Sequence, residues 1–246
     1  MPIRRGCAGV ACMTDTMRVG PGRVETARWS AAPVRVRDLV GYGALVLAPH
    51  PDDEVLGCGG LIASAMPRDA LDVVVLTDGS GSPPSAAGDP GLPEVRRAES
   101  RRALARLGLA PERVSFLDLP DGDLAGQAGR LDRELRDAVA RTAATDVFVP
   151  FRFDRHPDHQ AAHAAGVRLL RGAGIRLWEY FVYPFWRLLP GGDVRALLHR
   201  DALYALPLAA EARQAKREAL EAYTSQTTAH GPGRARPVLC LLYTSD

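Results

Sequence analysis

Four short apolar runs restrict the folds open to this chain. They span 44–48, 73–77, 114–118 and 146–150 and are rich in Val and Leu. Each is long enough for one buried strand and too short for a helix. A fifth candidate strand covers 175–183. Helical signals lie between the runs. Pro93 opens a stretch that continues to Leu107 and meets Gly108, a Pro start and a Gly stop. Leu131, Leu135 and Val139 recur every four residues and mark one helix face. Residues 159–170 are Ala-rich and Gly172 follows them, while 211–223 is a further helix candidate. Strand and helix in alternation predict an α/β fold, a Rossmann-like and mostly parallel sheet with helices on both faces.

A chain of 246 residues suits one such domain. The expected division is a poorly ordered lead-in over 1–38, a single domain over 39–239 and a non-native or truncated tail over 240–246. The lead-in shows no periodicity, and Met13 or Met17 is a candidate start. The 31 basic and 29 acidic residues give a net charge of +2, so no electrostatic pull toward nucleic acid or an anionic membrane is expected. Lys216 is the only lysine, and no phosphate-loop or Schiff-base motif surrounds it. Cys7, Cys12, Cys58 and Cys240 form no C-x-x-C pair and read as thiols in a reducing compartment. No apolar run approaches the ~20 residues of a membrane span, and 1–34 lacks a signal peptide's apolar region. A cytoplasmic protein without an integral membrane segment is expected, with its oligomeric state open.

The residues that carry chemistry follow two of the runs. Pro49-His50-Pro51-Asp52-Asp53-Glu54 comes after the first, and Asp154-Arg155-His156-Pro157-Asp158-His159 after the fourth. Both segments therefore sit at the carboxyl ends of parallel strands, the edge where open α/β sheets bind ligands. Imidazole and carboxylate together suit Zn²⁺, and three protein ligands leave one position for water. Four of the six histidines (His50, His156, His159 and His163) fall in or beside these segments. Three consecutive acids would repel one another in a mere loop.

These residues resemble the PIG-L, or LmbE-like, zinc-dependent N-deacetylases. The first motif of that family is A-H-P-D-D-E, present here as His50-Pro51-Asp52-Asp53-Glu54 after Pro49, and its second is H-x-D-H, present as His156-Pro157-Asp158-His159. The resemblance covers residues 46–239. It implies that His50, Asp53 and His159 bind zinc, with Fe²⁺ as the alternative ion. It implies Asp52 as general base and His156 as the group that polarises the scissile carbonyl or stabilises the oxyanion. An R-x-x-E helix matches Arg96-Arg97-Ala98-Glu99, which makes Arg96 a candidate substrate contact. The family's loop aspartate matches Asp121, a second candidate, and its late K…S-Q signature matches Lys216 and Thr224-Ser225-Gln226. The implied reaction is removal of an N-acetyl group from an N-acetylglucosamine-type conjugate, a small molecule.

Other residues carry two readings. Asp78 is a site neighbour or a turn residue before Gly79, and His163 lies behind His159 or on the surface. Glu54 opens the following helix, where its charge suits the dipole. Trp178, Tyr180, Tyr183, Phe185 and Trp186 serve as a stacking surface or as core. The rival functions are a non-catalytic metal- or sugar-binding module and a non-haem iron oxygenase. His50, Asp52 and His159 also spell a facial triad, with Arg168 as a co-substrate anchor. Such oxygenases resemble all-β barrels, and consecutive acids have no task in them. No G-x-S-x-G is present and Cys58 has no evident base, which leaves no case for a serine or cysteine hydrolase.

Overall fold

The computed structural model describes residues 8–11, 32–40, 42–65, 70–82, 91–170, 174–182 and 203–228. Five strands form the centre of the sheet: β3 (Ala44–Ala48), β4 (Leu71–Thr77), β5 (Val114–Leu119), β6 (Asp146–Pro150) and β7 (Arg176–Tyr180). Three short strands extend it beyond β7: β1 (Ala8–Ala11), β2 (Ala32–Pro33) and β8 (Leu203–Ala205). The order is β2-β8-β1-β7-β6-β3-β4-β5, and every adjacent pair is parallel. From β3 the chain steps outward to β5, then returns to place β6 on the other side of β3. The strand order thus reverses between β3 and β6, and a crevice opens there at the carboxyl ends.

Alternation along the strands sorts the core into two layers. Ala44, Val46 and Ala48 of β3 join the layer that includes Val55, Leu61, Leu104 and Tyr223. Leu45 and Leu47 join the opposite layer with Leu131, Leu135, Ala162 and Leu169. The first face is covered by α2 (Asp53–Ser64), α3 (Leu92–Arg106) and α6 (Ala210–Leu220), the second by α4 (Ala128–Thr142) and α5 (Pro157–Leu169). A four-residue helix, α1 (Val36–Leu39), precedes β3, and another, α7 (Thr224–Thr227), follows α6. Helix α2 lies close to the sheet at Gly57, where an added Cβ would overlap the Tyr180 ring. Tyr180 itself crosses the layer and donates its hydroxyl to Leu47 O at 2.7 Å.

The expected strands at 44–48 and 146–150 match β3 and β6 in full, while β4 begins two residues early, at Leu71. The fifth run forms a shorter strand than 175–183, and position 183 lies outside the described residues. Within the expected lead-in, Ala8–Ala11 and Ala32–Pro33 are strands and Val36–Leu39 is helical. The rest of 1–31 lies outside the described residues, as do the tail at 240–246, Cys7, Cys12, Cys240, Tyr183, Phe185 and Trp186. Trp178 and Tyr180 are buried and belong to the core. Among the described residues no helix is long and apolar enough to cross a membrane.

Candidate metal centre

The crevice between β3 and β6 gathers both motifs. The turn after β3 carries His50 and Asp52, and Asp53 begins α2. The turn after β6 carries Asp154 and His156, and His159 lies in the first turn of α5. Three atoms meet here. Asp53 Oδ2 is 3.1 Å from His50 Nδ1 and 3.0 Å from His159 Nε2, and the two nitrogens are 3.3 Å apart. A tetrahedral ion with bonds of about 2.0–2.1 Å holds its ligand atoms about 3.3–3.4 Å apart. The triangle is therefore nearly of the size that such an ion requires. All three residues are buried.

The far nitrogen of each imidazole is backed by carboxylate. His50 Nε2 lies 3.2 Å from both Asp121 Oδ1 and Asp158 Oδ2. His159 Nδ1 lies 2.9 Å from Asp154 Oδ2. Carboxylates in these places fix the ring orientation and turn the other nitrogen's lone pair toward the triangle. Asp158 is itself fixed by the N–H groups of Gly122 (2.7 Å) and Leu124 (3.0 Å), so the loop after β5 is tied to α5. Asp154 Oδ1 accepts from His156 N at 3.0 Å. Two other groups of candidate donors share the His50 ring: His50, His156 and His159, and His50, Asp121 and Asp158.

His156 precedes α5 and caps it: its Nδ1 accepts from Asp158 N at 3.2 Å. With Nδ1 acting as acceptor, the neutral ring carries its proton on Nε2. The ring lies 4.5 Å from that of His50 and 5.1 Å from that of His159, centre to centre. It is only half-buried.

The charges of the site oppose one another at short range. Burial works against a charged His159, but the Asp53 and Asp154 carboxylates raise its pKa to about 9. His50 is likewise raised against burial by Asp121, Asp158 and Asp53. Asp53 is held far below the usual carboxylate range, its burial overcome by His159 and His50. Asp158 falls to about 2 as His50 and two backbone N–H groups outweigh burial. Asp52 moves the other way, to about 7, because burial and the neighbouring Asp53 and Glu54 outweigh the Arg96 guanidinium. Burial, with His50 and His159 nearby, lowers His156.

Arg96 and Asp121, expected as substrate contacts, both stand beside the triangle and both are engaged with protein. Arg96 is buried; Nη2 donates to Pro51 O (2.8 Å) and Asp52 Oδ2 (3.1 Å), and Nη1 donates to Gly79 O (3.0 Å). Asp121 accepts from Gly81 N at 2.9 Å as well as facing His50. Asp78 is a turn residue that holds this loop, its Oδ1 accepting from Ser80 N and Asp121 N. His163 pairs with Glu179 at 2.9 Å rather than with the triangle. Asp154 and Asp158 received no role from the sequence, although both stand inside the second motif. Their signal was a carboxylate five residues before His159 and one immediately before it.

Comparison with known proteins shows the family. The family model described as PIG-L, GlcNAc-PI de-N-acetylase, matches residues 45–170, about half of the chain. The chain belongs to the PIG-L family. The match runs from β3 through α5 and so takes in both motifs. A 2'-N-acetylparomamine deacetylase of Streptomyces fradiae is 30% identical over 166 residues, covering 59% of this chain and 58% of its own length. A diacetylchitobiose deacetylase of Thermococcus kodakarensis is 29% identical over 137 residues, 53% of this chain and 50% of the relative. The chain thus spans between half and three fifths of the length of these two curated relatives. The conserved protein TT1542 of Thermus thermophilus superimposes with a TM-score of 0.53 at 30% identity, over 76% of this chain and 80% of that one. The teicoplanin deacetylase Orf2, solved in a zinc-inhibited form, shares the fold with a TM-score of 0.55 at 20% identity, over 75% and 84% of the two chains.

Proposed function

We propose that this protein is a zinc-dependent hydrolase that removes the N-acetyl group from an amino-sugar conjugate, through a single catalytic domain over 39–239. The triangle of His50 Nδ1, Asp53 Oδ2 and His159 Nε2, with Asp52 beside it, carries the reading. Family membership supports it, as do relatives named for deacetylating acetylparomamine and diacetylchitobiose.

His50, Asp53 and His159 would hold the ion. Two nitrogens and one oxygen suit zinc, and Fe²⁺ is the alternative. Bound there, the ion would supply Lewis acidity and would lower the pKa of water to roughly 7. Asp52 accepts the proton as the water oxygen adds to the acetamide carbonyl carbon. Arg96 holds the Asp52 carboxylate through Oδ2. His156, capping α5 through Nδ1, offers its Nε2–H to the carbonyl oxygen as negative charge grows there. Such a preorganised donor contributes about 3–4 kcal/mol. The C–N bond then breaks and the proton on Asp52 passes to the leaving nitrogen, giving acetate and a free amine.

The test is metal analysis of the purified protein, followed by assay of N-acetylated amino sugars for released amine. One divalent ion per chain, with amine release that a chelator abolishes, is the expected result. A folded protein that takes up no divalent ion overturns the reading.

A further inference from the structure

The third acid of the first motif, Glu54, is unused by the mechanism above. It is fully buried, and hydrogen-bond donors surround its carboxylate. Its Oε2 accepts the backbone N–H of Asp52 at 2.9 Å. Its Oε1 accepts the Tyr223 hydroxyl at 2.6 Å and the Ser100 hydroxyl. These donors come from the turn after β3, from α3 and from the segment between α6 and α7. One backbone N–H and two hydroxyls, which can also turn to accept, meet the two oxygens.

Asp52 is the residue that needs such a hold. Its φ is 152° with ψ −27°, a conformation that L side chains seldom adopt. Its carbonyl accepts from Val55 N and Leu56 N and so starts α2. Its N–H, on the other side of the same strained residue, is held by Glu54 alone among the described residues. Helix α3 grips both ends of the arrangement from one face. Arg96 fastens the Asp52 carboxylate and Pro51 O, and Ser100, one turn on, fastens Glu54. The adjacent Glu99 binds Thr224 and Ser225, and Gln226 accepts from Ser82, so the segment bearing Tyr223 is itself tied down.

We infer that Glu54, oriented by Tyr223 and Ser100, is a positioning residue that holds the Asp52 backbone so that its carboxylate faces the metal centre. The inference rests on Asp52 acting as the base, and a readout independent of turnover separates the two.

The test compares Glu54→Ala, Glu54→Gln and Tyr223→Phe in the full chain. Turnover is measured on an N-acetylated amino sugar and bound metal by elemental analysis. The Asp52 amide proton is followed by NMR in labelled protein, for its chemical shift and exchange rate. Glu54→Ala should lower kcat about 10–100-fold with KM and metal content little changed, the size seen when a partner behind a functional group is lost. The Asp52 amide should shift and exchange faster. Glu54→Gln should restore most of the rate, because its oxygen can face Asp52 N while the two hydroxyls turn to accept from its amide. Tyr223→Phe removes one hydroxyl and should cost about 3–10-fold, less than the Ala variant. An unchanged Asp52 amide in Glu54→Ala overturns the inference, and so does an altered amide with unchanged kcat. If Glu54→Ala fails to fold, Tyr223→Phe and Glu54→Gln decide on the same readouts. If the wild-type protein releases no amine from any sugar offered, the proposed function fails. The amide readout then still reports whether Glu54 holds Asp52.

Discussion

At Asp52 a strained backbone and a buried carboxylate occupy one residue. Strain of this kind costs about 1–3 kcal/mol and persists only where surrounding contacts enforce it. Here those contacts are Glu54, Arg96 and the first turn of α2. Asp52→Asn keeps the shape and removes the proton acceptor. It should retain the ion and lose about 10²–10⁴-fold in kcat, checked by steady-state kinetics beside metal analysis. His159→Ala should instead lose the ion, because it opens one corner of the triangle. The triangle's residues and Asp52 could be read from two short motifs, since both fall directly after apolar runs. The carboxylates behind them could not. Asp158 and Glu54 act by what they face, His50 and Tyr223, and no spacing along the chain reveals a neighbour more than 100 positions away. Arg96 shows the converse: its place on a helix was legible, but its guanidinium turns inward to Asp52, Pro51 and Gly79.

Helix α2 is the element on which the site depends most directly, because Asp53 and Glu54 begin it and Gly57 sets its distance from the sheet. Gly57→Ala should push the helix from Tyr180. Overpacking of this kind costs about 1–3 kcal/mol, or roughly 2–12 °C in Tm for a chain of this size. Gly129→Ala on α4 is the control: its added Cβ meets only Arg133 Nη1, at 4.0 Å. It should leave Tm unchanged or slightly raised, since Ala favours helix over Gly. Thermal unfolding of the two variants checks both. The long elements were legible because most of these runs and periodic stretches begin or end near a Gly or Pro, such as Gly43 and Pro49 around β3. Strands β1, β2 and β8 are two to four residues long, too short to show any period. They exist through pairing with β7 and with one another, which is tertiary information.

For the molecule as a whole, the sheet is braced at its carboxyl edge by charges as well as by its two apolar layers. Glu179 on β7 accepts both Arg152, after β6, and His163, on α5. Its pKa is lowered as these partners outweigh burial. A depressed carboxylate stabilises the fold above its unfolded pKa of about 4.3 and loses that contribution as pH falls through the folded value. Urea midpoints of the wild type and Glu179→Gln should therefore converge as pH drops from 6 toward 3. A constant gap between them would remove Glu179 as the cause. The candidate metal centre ties a different pair of segments, the turn after β3 and the first turn of α5. Adding a divalent ion at 100 times its Kd should stabilise the protein by about 2.7 kcal/mol, roughly 5–11 °C in Tm. His159→Ala should abolish that shift.

The crevice between β3 and β6 also puts the site on a clock. His50 and His159 are 109 positions apart. A ribosome adding about 5–20 residues per second takes roughly 5–20 s to pass from one to the other. Throughout that interval the nascent chain already carries the first motif, His50 and Asp53 included, without the second histidine of the triangle. The triangle of His50, Asp53 and His159 can therefore close only when the second half of the chain has been made and β6 lies beside β3.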